Sequence, residues 1–342
     1  MKIFLRLLFK TLGVLALLLV LLHLIENWRG ERAWQAWKAS REALGERFDL
    51  DSLLPPPVPD AENFAAAPVV AEAVTGKAET PTPAKPFQDD PKFSGNWREG
   101  RKADLAGWQA STKEDLEAVL APYAPRLEAL AEAAKRPHSR LLVDYKNLDQ
   151  VPMLLGLRQY ARVLRTRAQV SLSKGKPEGA LEDVLTGLGM EKHLQLEPHL
   201  ISQLLRMAMA SILLQPVWEG LQDHRWNEAQ LALLQEALSK VDLVDSMRRG
   251  WMWERNSNSQ RLLDPKYGVL DFLDEPGGSR LKAGLLKLVF PKGWIYQNLV
   301  RLDRGFALRT VDVLDAQHRL VHVAAPSEAL VQPRRGPYNF LL

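Results

Sequence analysis

The chain contains no cysteine. Disulfides, thiolate zinc sites, iron–sulfur clusters, cysteine nucleophiles and lipidated cysteines are therefore excluded. A strong excess of one charge is also missing. Against 41 acidic residues stand 45 basic ones, a net charge of +4 over 342 residues. That balance tolerates contact with anionic headgroups but falls short of a nucleic-acid footprint, so no nucleic-acid partner is expected. There is no phosphate loop, dinucleotide fingerprint, nucleophile elbow or kinase set. Strand signal is poor, with residues 320–324 the best short candidate.

What the sequence has is one long apolar run near its start. Residues 7–25, marked by Leu7, Leu12, Leu18 and Ile25, are interrupted only by Lys10 and His23. As a helix the run rises about 1.5 Å per residue and reaches across a hydrocarbon layer of about 30 Å. Lys2, Arg6 and Lys10 precede it, and Trp28 follows where an interfacial ring is stable. No small-residue cleavage site follows the run, so it reads as a retained anchor and not as a cleaved signal peptide. The basic start favours an N-terminus inside and the bulk outside the cytoplasm, in the periplasmic or extracytoplasmic space, although Arg29, Arg32, Lys38 and Arg41 follow closely. The bilayer is the expected partner of the anchor.

Five segments are expected. Residues 1–26 form the anchor and 27–50 a juxtamembrane amphipathic helix, lying on the membrane or docked on the protein's own domain. Residues 51–95 form a Pro/Ala-rich linker or strap, since nine of the 22 prolines fall between residues 51 and 93. Asn63-Phe64 is a candidate docking spot within it. Residues 96–262 form an α-helical domain. Capping-box spacing at Ser111/Glu114 and Thr112/Asp115 starts a helix near residue 111. Apolar periodicity predicts helices over 151–174, from 176 onward, over 199–215 and from Asn227 to about 241. The apolar 199–215 stretch reads as buried between neighbours, because Arg206 argues against a second membrane span. Residues 263–342 are helical and irregular, with helices expected at 279–289 and 294–315. The abrupt apolar end Tyr338-Asn339-Phe340-Leu341-Leu342 leaves truncation open. The fold class is thus mainly α: a transmembrane helix, a Pro-rich linker and an irregular helical bundle.

The turn from helix 151–174 into the next resembles a tetratricopeptide repeat. Ala168, Gly175, Ala180 and Gly187 stand at that family's small-residue spacing, while Ser171 and Val184 replace its aromatics. More broadly, Trp28, Trp34 and Trp37 after a basic–hydrophobic start, Leu53 to Asp60 with its prolines, Asn63-Phe64 and the helical pair resemble uncharacterised single-pass bacterial envelope proteins. That resemblance implies anchoring and a helical domain, and no activity.

Few constellations carry chemistry. Trp251, Trp253, Glu254 and Arg255 read either as lining a ligand cleft with an ion pair, or as tryptophan packing in which Glu254 or Arg255 ties down a loop; packing is favoured. Arg158, Arg162 and Arg165 form a basic stripe opposite the leucine face, expected to be a solvated outer face or a landing place for an acidic partner or lipid phosphates. Glu191, His193, Glu197 and His199 read as a solvated helix end. His318 and His322 stand four apart, but Arg319 occupies the place of a metalloprotease glutamate. No catalytic set, metal or cofactor is expected. The leading expectation is a non-enzymatic envelope protein with a possible protein partner. The alternative is an envelope hydrolase or ligand-binding enzyme with a cleft near Glu254.

Overall fold

The computed structural model describes residues 2–75, 92–148, 150, 152, 154–264 and 290–322. The protein is mainly α. Eleven helices of five residues or more are described, with one two-stranded hairpin. They are α1 (Lys2–Glu42), α2 (Pro68–Thr75), α3 (Leu105–Thr112), α4 (Leu116–Leu120), α5 (Ala124–Ala134), α6 (Leu155–Ser173), α7 (Pro177–Lys192), α8 (Leu200–Gln222), α9 (Glu228–Ser239), α10 (Leu243–Leu263) and α11 (Lys292–Ala307). Strands β1 (Leu314–Asp315) and β2 (Leu320–Val321) pair antiparallel, Leu314 opposite Val321. The expected helix at 279–289 and the terminal Tyr338–Leu342 stretch lie outside the described residues.

The chain divides into two units. The first takes Met1–Leu53, Trp251–Asp315 and Leu320–Leu342, and the second Leu54–Gly250 and Ala316–Arg319. This differs from the five consecutive segments expected. The domain boundary falls at Gly250, inside α10, and the described residues after it, apart from Ala316–Arg319, join the N-terminal helix. The Pro-rich stretch enters the second unit at Leu54 and is packed there through Thr75.

In the first unit, α1 runs unbroken for 41 residues. Its apolar half is long and apolar enough to cross a membrane, and none of it is buried. After the helix ends at Glu42 the chain turns through Gly45, whose φ of +81° suits glycine. Residues 27–42 are docked within this unit: Trp34 and Arg41 are buried, and Trp34 meets Phe48 edge-to-face at 5.8 Å. α11 lies against α1. It ends at Ala307, short of the expected 315, and turns lead into β1.

In the second unit, α6, α7 and α8 pack on one another, with α2 on α6 and with α5 and α9 on α7. Leu157, Ala161, Leu164 and Ala168 of α6 are fully buried, as their spacing requires. Gly175, at φ +68°, makes the turn into α7. Gly187 leaves room for Leu213 of α8, so that small residue serves a contact between α7 and α8. α8 passes the length and hydropathy test for a membrane span, yet 56% of its apolar window is buried, as befits a core helix. It continues past the expected end at 215, through Pro216, to Gln222. Asn227 and Gln230 form the capping box that opens α9. Near residue 111 the order is different. Thr112 ends α3, whose cap is Asp104, and Asp115 starts α4 by accepting from the Glu117 and Ala118 N–H groups. A carboxylate next to the first apolar residue caps better than hydroxyls that already close the preceding helix.

The strap reading of 51–75 acquires an exact anchor point. Asn63 Oδ1 accepts from Ala65 N at 3.1 Å and Arg140 N at 2.9 Å, and its Nδ2 donates to Arg140 O at 2.9 Å. Phe64 is fully buried and stacks on His193, centroids 4.4 Å apart and planes within 6°. The His193 Nε2 lies 3.1 Å from Ala134 O.

Candidate functional site

Two features of the first unit concentrate polar chemistry. The nearer to the apolar run is a helix crossing. Gly30 of α1 and Gly293 of α11 face each other so closely that a Cβ on Gly293 would lie 1.7 Å from Glu26 O. Only glycine lets two backbones approach like this. The Asn27 Oδ1 accepts from Gly293 N at 2.8 Å and so satisfies an open amide of the α11 first turn, which its own cap, Pro291, does not. Buried Glu26 accepts from Trp294 Nε1 at 3.1 Å and Gln297 Nε2 at 3.0 Å, and Arg29 pairs with it at 2.6 Å. Beside this crossing lies an open cleft of about 520 Å³, lined by Trp28, Arg29, Arg32, Ala33, Ala36 and Gln297.

Beyond the crossing, a chain of alternating charges runs through the unit. Asp312 pairs with Arg41, Arg41 with Glu46, Glu46 with Arg255, and Arg255 Nε with Asp303 at 3.2 Å; Asp303 also accepts from Trp37 Nε1. Arg41, Glu46, Arg255 and Asp303 are buried. Aromatic faces close the assembly: Arg255 lies 4.2 Å from the Phe48 centroid and Arg304 5.1 Å from Trp37. Asn256 Nδ2 adds a hydrogen bond to Arg47 O at 2.7 Å. Burial pushes the Asp303 carboxyl up, against the pull of Arg255 and the Trp37 N–H. Burial acts to lower the Arg41 guanidinium, but its bonds to Asp312 and Glu46 hold it above the ordinary value. Each buried carboxylate is occupied by a cation or an indole. The chain ties α1, the turn after it, α10 and α11 together, which is structural work.

The residues singled out from sequence divide accordingly. Arg255 is the central link, bound to Glu46 and Asp303. It ties down the loop after α1, as the packing alternative expected, and its partner is not Glu254. Glu254 is half-buried one residue away. Trp253 is buried, and Trp251 meets Phe306 edge-to-face at 5.4 Å. The arginine stripe of α6 is not a solvated outer face: Arg162 and Arg165 are buried and Arg158 is half-buried. Arg162 Nη1 donates to Gln159 Oε1 at 3.2 Å. Helical periodicity marked the leucine face correctly but could not reveal that neighbouring elements cover the opposite face too.

The acidic–histidine group at the end of α7 is not solvated either. Glu191 is fully buried against Arg206 at 2.6 Å. Glu197 is buried and accepts from Tyr145 OH at 2.6 Å and Leu141 N at 3.1 Å. Burial, with the Glu197 carboxylate beside it, pushes the Tyr145 phenol well up. His318 lies in the turn between β1 and β2, and His322 just past β2, so the pair does not share a helix face. Among the described residues no three His, Asp or Glu side chains gather in a metal-holding group.

Glu26, Asn27, Glu46, Asp303 and Gln297 were not marked by sequence reasoning. Only Glu26 carried a signal, a carboxylate directly after an apolar run. Comparison with protein families, curated proteins and solved structures yields no match.

Proposed function

We propose that the protein is a single-pass, membrane-anchored envelope protein whose helical mass holds or recruits another protein and is not an enzyme. One observation carries this reading. α1 is a single helix whose first half is apolar and exposed while its second half is locked into a folded unit through Gly30, Asn27, Trp37 and Arg41. A helix so divided couples a bilayer rigidly to a folded domain. The buried charges support a structural role, because they are spent on one another. The N-terminus lies inside and the bulk outside the cytoplasm. The helical pair α6–α7 is read as tetratricopeptide-like at its turn through Gly175.

The surface for a protein partner is the outer stripe of α8. Ile201, Leu204 and Met207, spaced by three residues, are 46%, 47% and 43% exposed on a helix whose other face is packed into the core. An apolar stripe of this kind favours burial by an apolar partner face.

Washing membranes with alkaline carbonate should leave the chain in the pellet, and release into the supernatant defeats the anchor. A photo-crosslinking residue at Leu204 should give one reproducible adduct in intact membranes, lost in Ile201→Glu/Met207→Glu. No adduct, or an adduct indifferent to those changes, defeats the partner surface. Reporters fused after residues 50 and 342 should both read outside.

A further inference from the structure

We infer that the cleft beside the α1–α11 crossing binds the phosphate of an anionic phospholipid. This rests on the membrane-anchor reading. The apolar run ends at Ile25, and Arg29 and Arg32 follow about 6 and 10 Å farther along the helix axis. The headgroup layer occupies a similar depth on each side of the hydrocarbon. Helical side chains lean toward the N-terminus, so both guanidinium groups tilt back toward the membrane surface.

The cleft is built for an anion. Arg32 is exposed, with its guanidinium 5.3 Å from the Trp28 ring centroid, and Trp28 is itself 60% exposed. The indole face beside it restrains the guanidinium while leaving its N–H fork open to a phosphate. The nearby carboxylate does not repel the ligand, because Glu26 is buried and already bound by Arg29, Trp294 and Gln297. α11 brings more of the same chemistry to this level. Gly293 is bonded to Asn27, so exposed Lys292 and the Phe290–Trp294 pair, 5.4 Å apart, stand beside the exit of α1 from the apolar run. Aromatic rings and basic residues at that depth are the composition of a headgroup-binding collar. A volume of about 520 Å³ accommodates a phosphoglycerol group.

The assignment also accounts for the basic residues that follow the anchor on its far side. Arg41 is consumed by Glu46 and Asp312 and Arg29 by Glu26, which leaves Arg32 for the lipid.

The test uses the full chain in maltoside micelles, offered equal amounts of phosphatidylglycerol and phosphatidylcholine and read by native mass spectrometry. The wild type should retain phosphatidylglycerol preferentially, and Arg32→Gln should reduce that preference roughly fivefold, the contribution of one basic side chain at a membrane surface. Arg98→Gln, a charge-matched change at an exposed position in the other unit, should leave it unchanged. Equal retention of the two lipids by the wild type, or equal effects of the two substitutions, overturns the site. Displacement of the lipid by millimolar inorganic phosphate also overturns it, since the cleft would then take free phosphate. Resistance to carbonate extraction is measured on the membranes from which the chain is solubilised. Absence of lipid preference in the wild type with extraction resistance kept refutes the lipid site alone, whereas loss of resistance refutes the anchor.

Discussion

Glu191 of α7 and Arg206 of α8 meet at 2.6 Å with neither side chain exposed to solvent. Arg206 also donates to Gln203 Oε1 at 3.1 Å, to the Asp242 carbonyl at 3.3 Å and to Ser246 Oγ. Burial pushes the glutamate up and the arginine down, so each charge persists through the other. Removing one partner strands an ion in a dry core, at a cost of about 3–5 kcal/mol, while replacing both by apolar groups of similar volume costs little. Arg206→Met should therefore lower the thermal midpoint sharply, and Arg206→Met/Glu191→Leu should recover most of the loss. Melting curves by circular dichroism in micelles decide. Equal destabilisation by the single and double variants would show that Gln203, Asp242 and Ser246 carry the arginine's role.

The same arginine shows what was legible in the sequence. A charge inside an apolar helix argued for a core helix over a second span, and the burial of α8 agrees. Local signals with local causes were also readable: the Asn227/Gln230 capping box, the glycine turn at 175, and Asn63-Phe64 as the docking point of the strap. Signals that depend on distant chain were not. Arg162 and Arg165 are buried because other elements cover the polar side of α6, which no periodicity within α6 records. Arg255 was singled out beside Glu254, yet its partners Glu46 and Asp303 stand 209 positions before and 48 after it. The interleaving of residues 2–53 with those after 250 was equally invisible, since long-range pairing leaves no compositional mark.

Arg255 sets up a second test. It shares Glu46 with Arg41 and holds Asp303 together with the Trp37 N–H. Arg255→Met should destabilise the first unit by about 3–5 kcal/mol, as for any buried pair that loses one member. Arg255→Lys should recover only part, because an ammonium cannot serve two carboxylates and the Phe48 face as a planar fork does. Hydrogen exchange of α11 and the 43–48 turn should rise in both variants, with the second unit unaffected. A Lys variant as stable as wild type would reduce the network to simple charge balance.

The helix crossing can be tested by adding one methyl group. At Gly293 a Cβ would fall 1.7 Å from Glu26 O, a backbone atom that cannot swing aside. Overpacking of this kind costs about 1–3 kcal/mol when neighbours can adjust, and a backbone clash stands at the upper end. Gly293→Ala should therefore expose α11 to limited proteolysis, while Gly305→Ala in the same helix, with open space around it, should not. Similar cleavage of the two would mean that α11 does not depend on the crossing.

Asp183 of α7 supplies the pH dependence. Its side chain is buried, and Arg167 Nε lies 2.9 and 3.0 Å from its two oxygens. Burial nonetheless pushes its carboxyl up to about 6 from 3.8, with Arg167 pulling the other way. Since the folded value exceeds the unfolded one, the folded state holds more protons between them, and this group's contribution to stability falls as pH rises through that window. A gap of about two pH units corresponds to roughly 3 kcal/mol at most. Asp183→Asn removes the titration and leaves Arg167, which is partly exposed, able to reach water. The stability of the variant relative to wild type should therefore improve from pH 4 to pH 7, with the change concentrated between 3.8 and about 6. Paired melts across that range measure it directly. A difference that is flat, or that grows in favour of the wild type at neutral pH, would mean that Arg167 keeps the carboxylate ionised and that the pair stabilises the contact between α6 and α7.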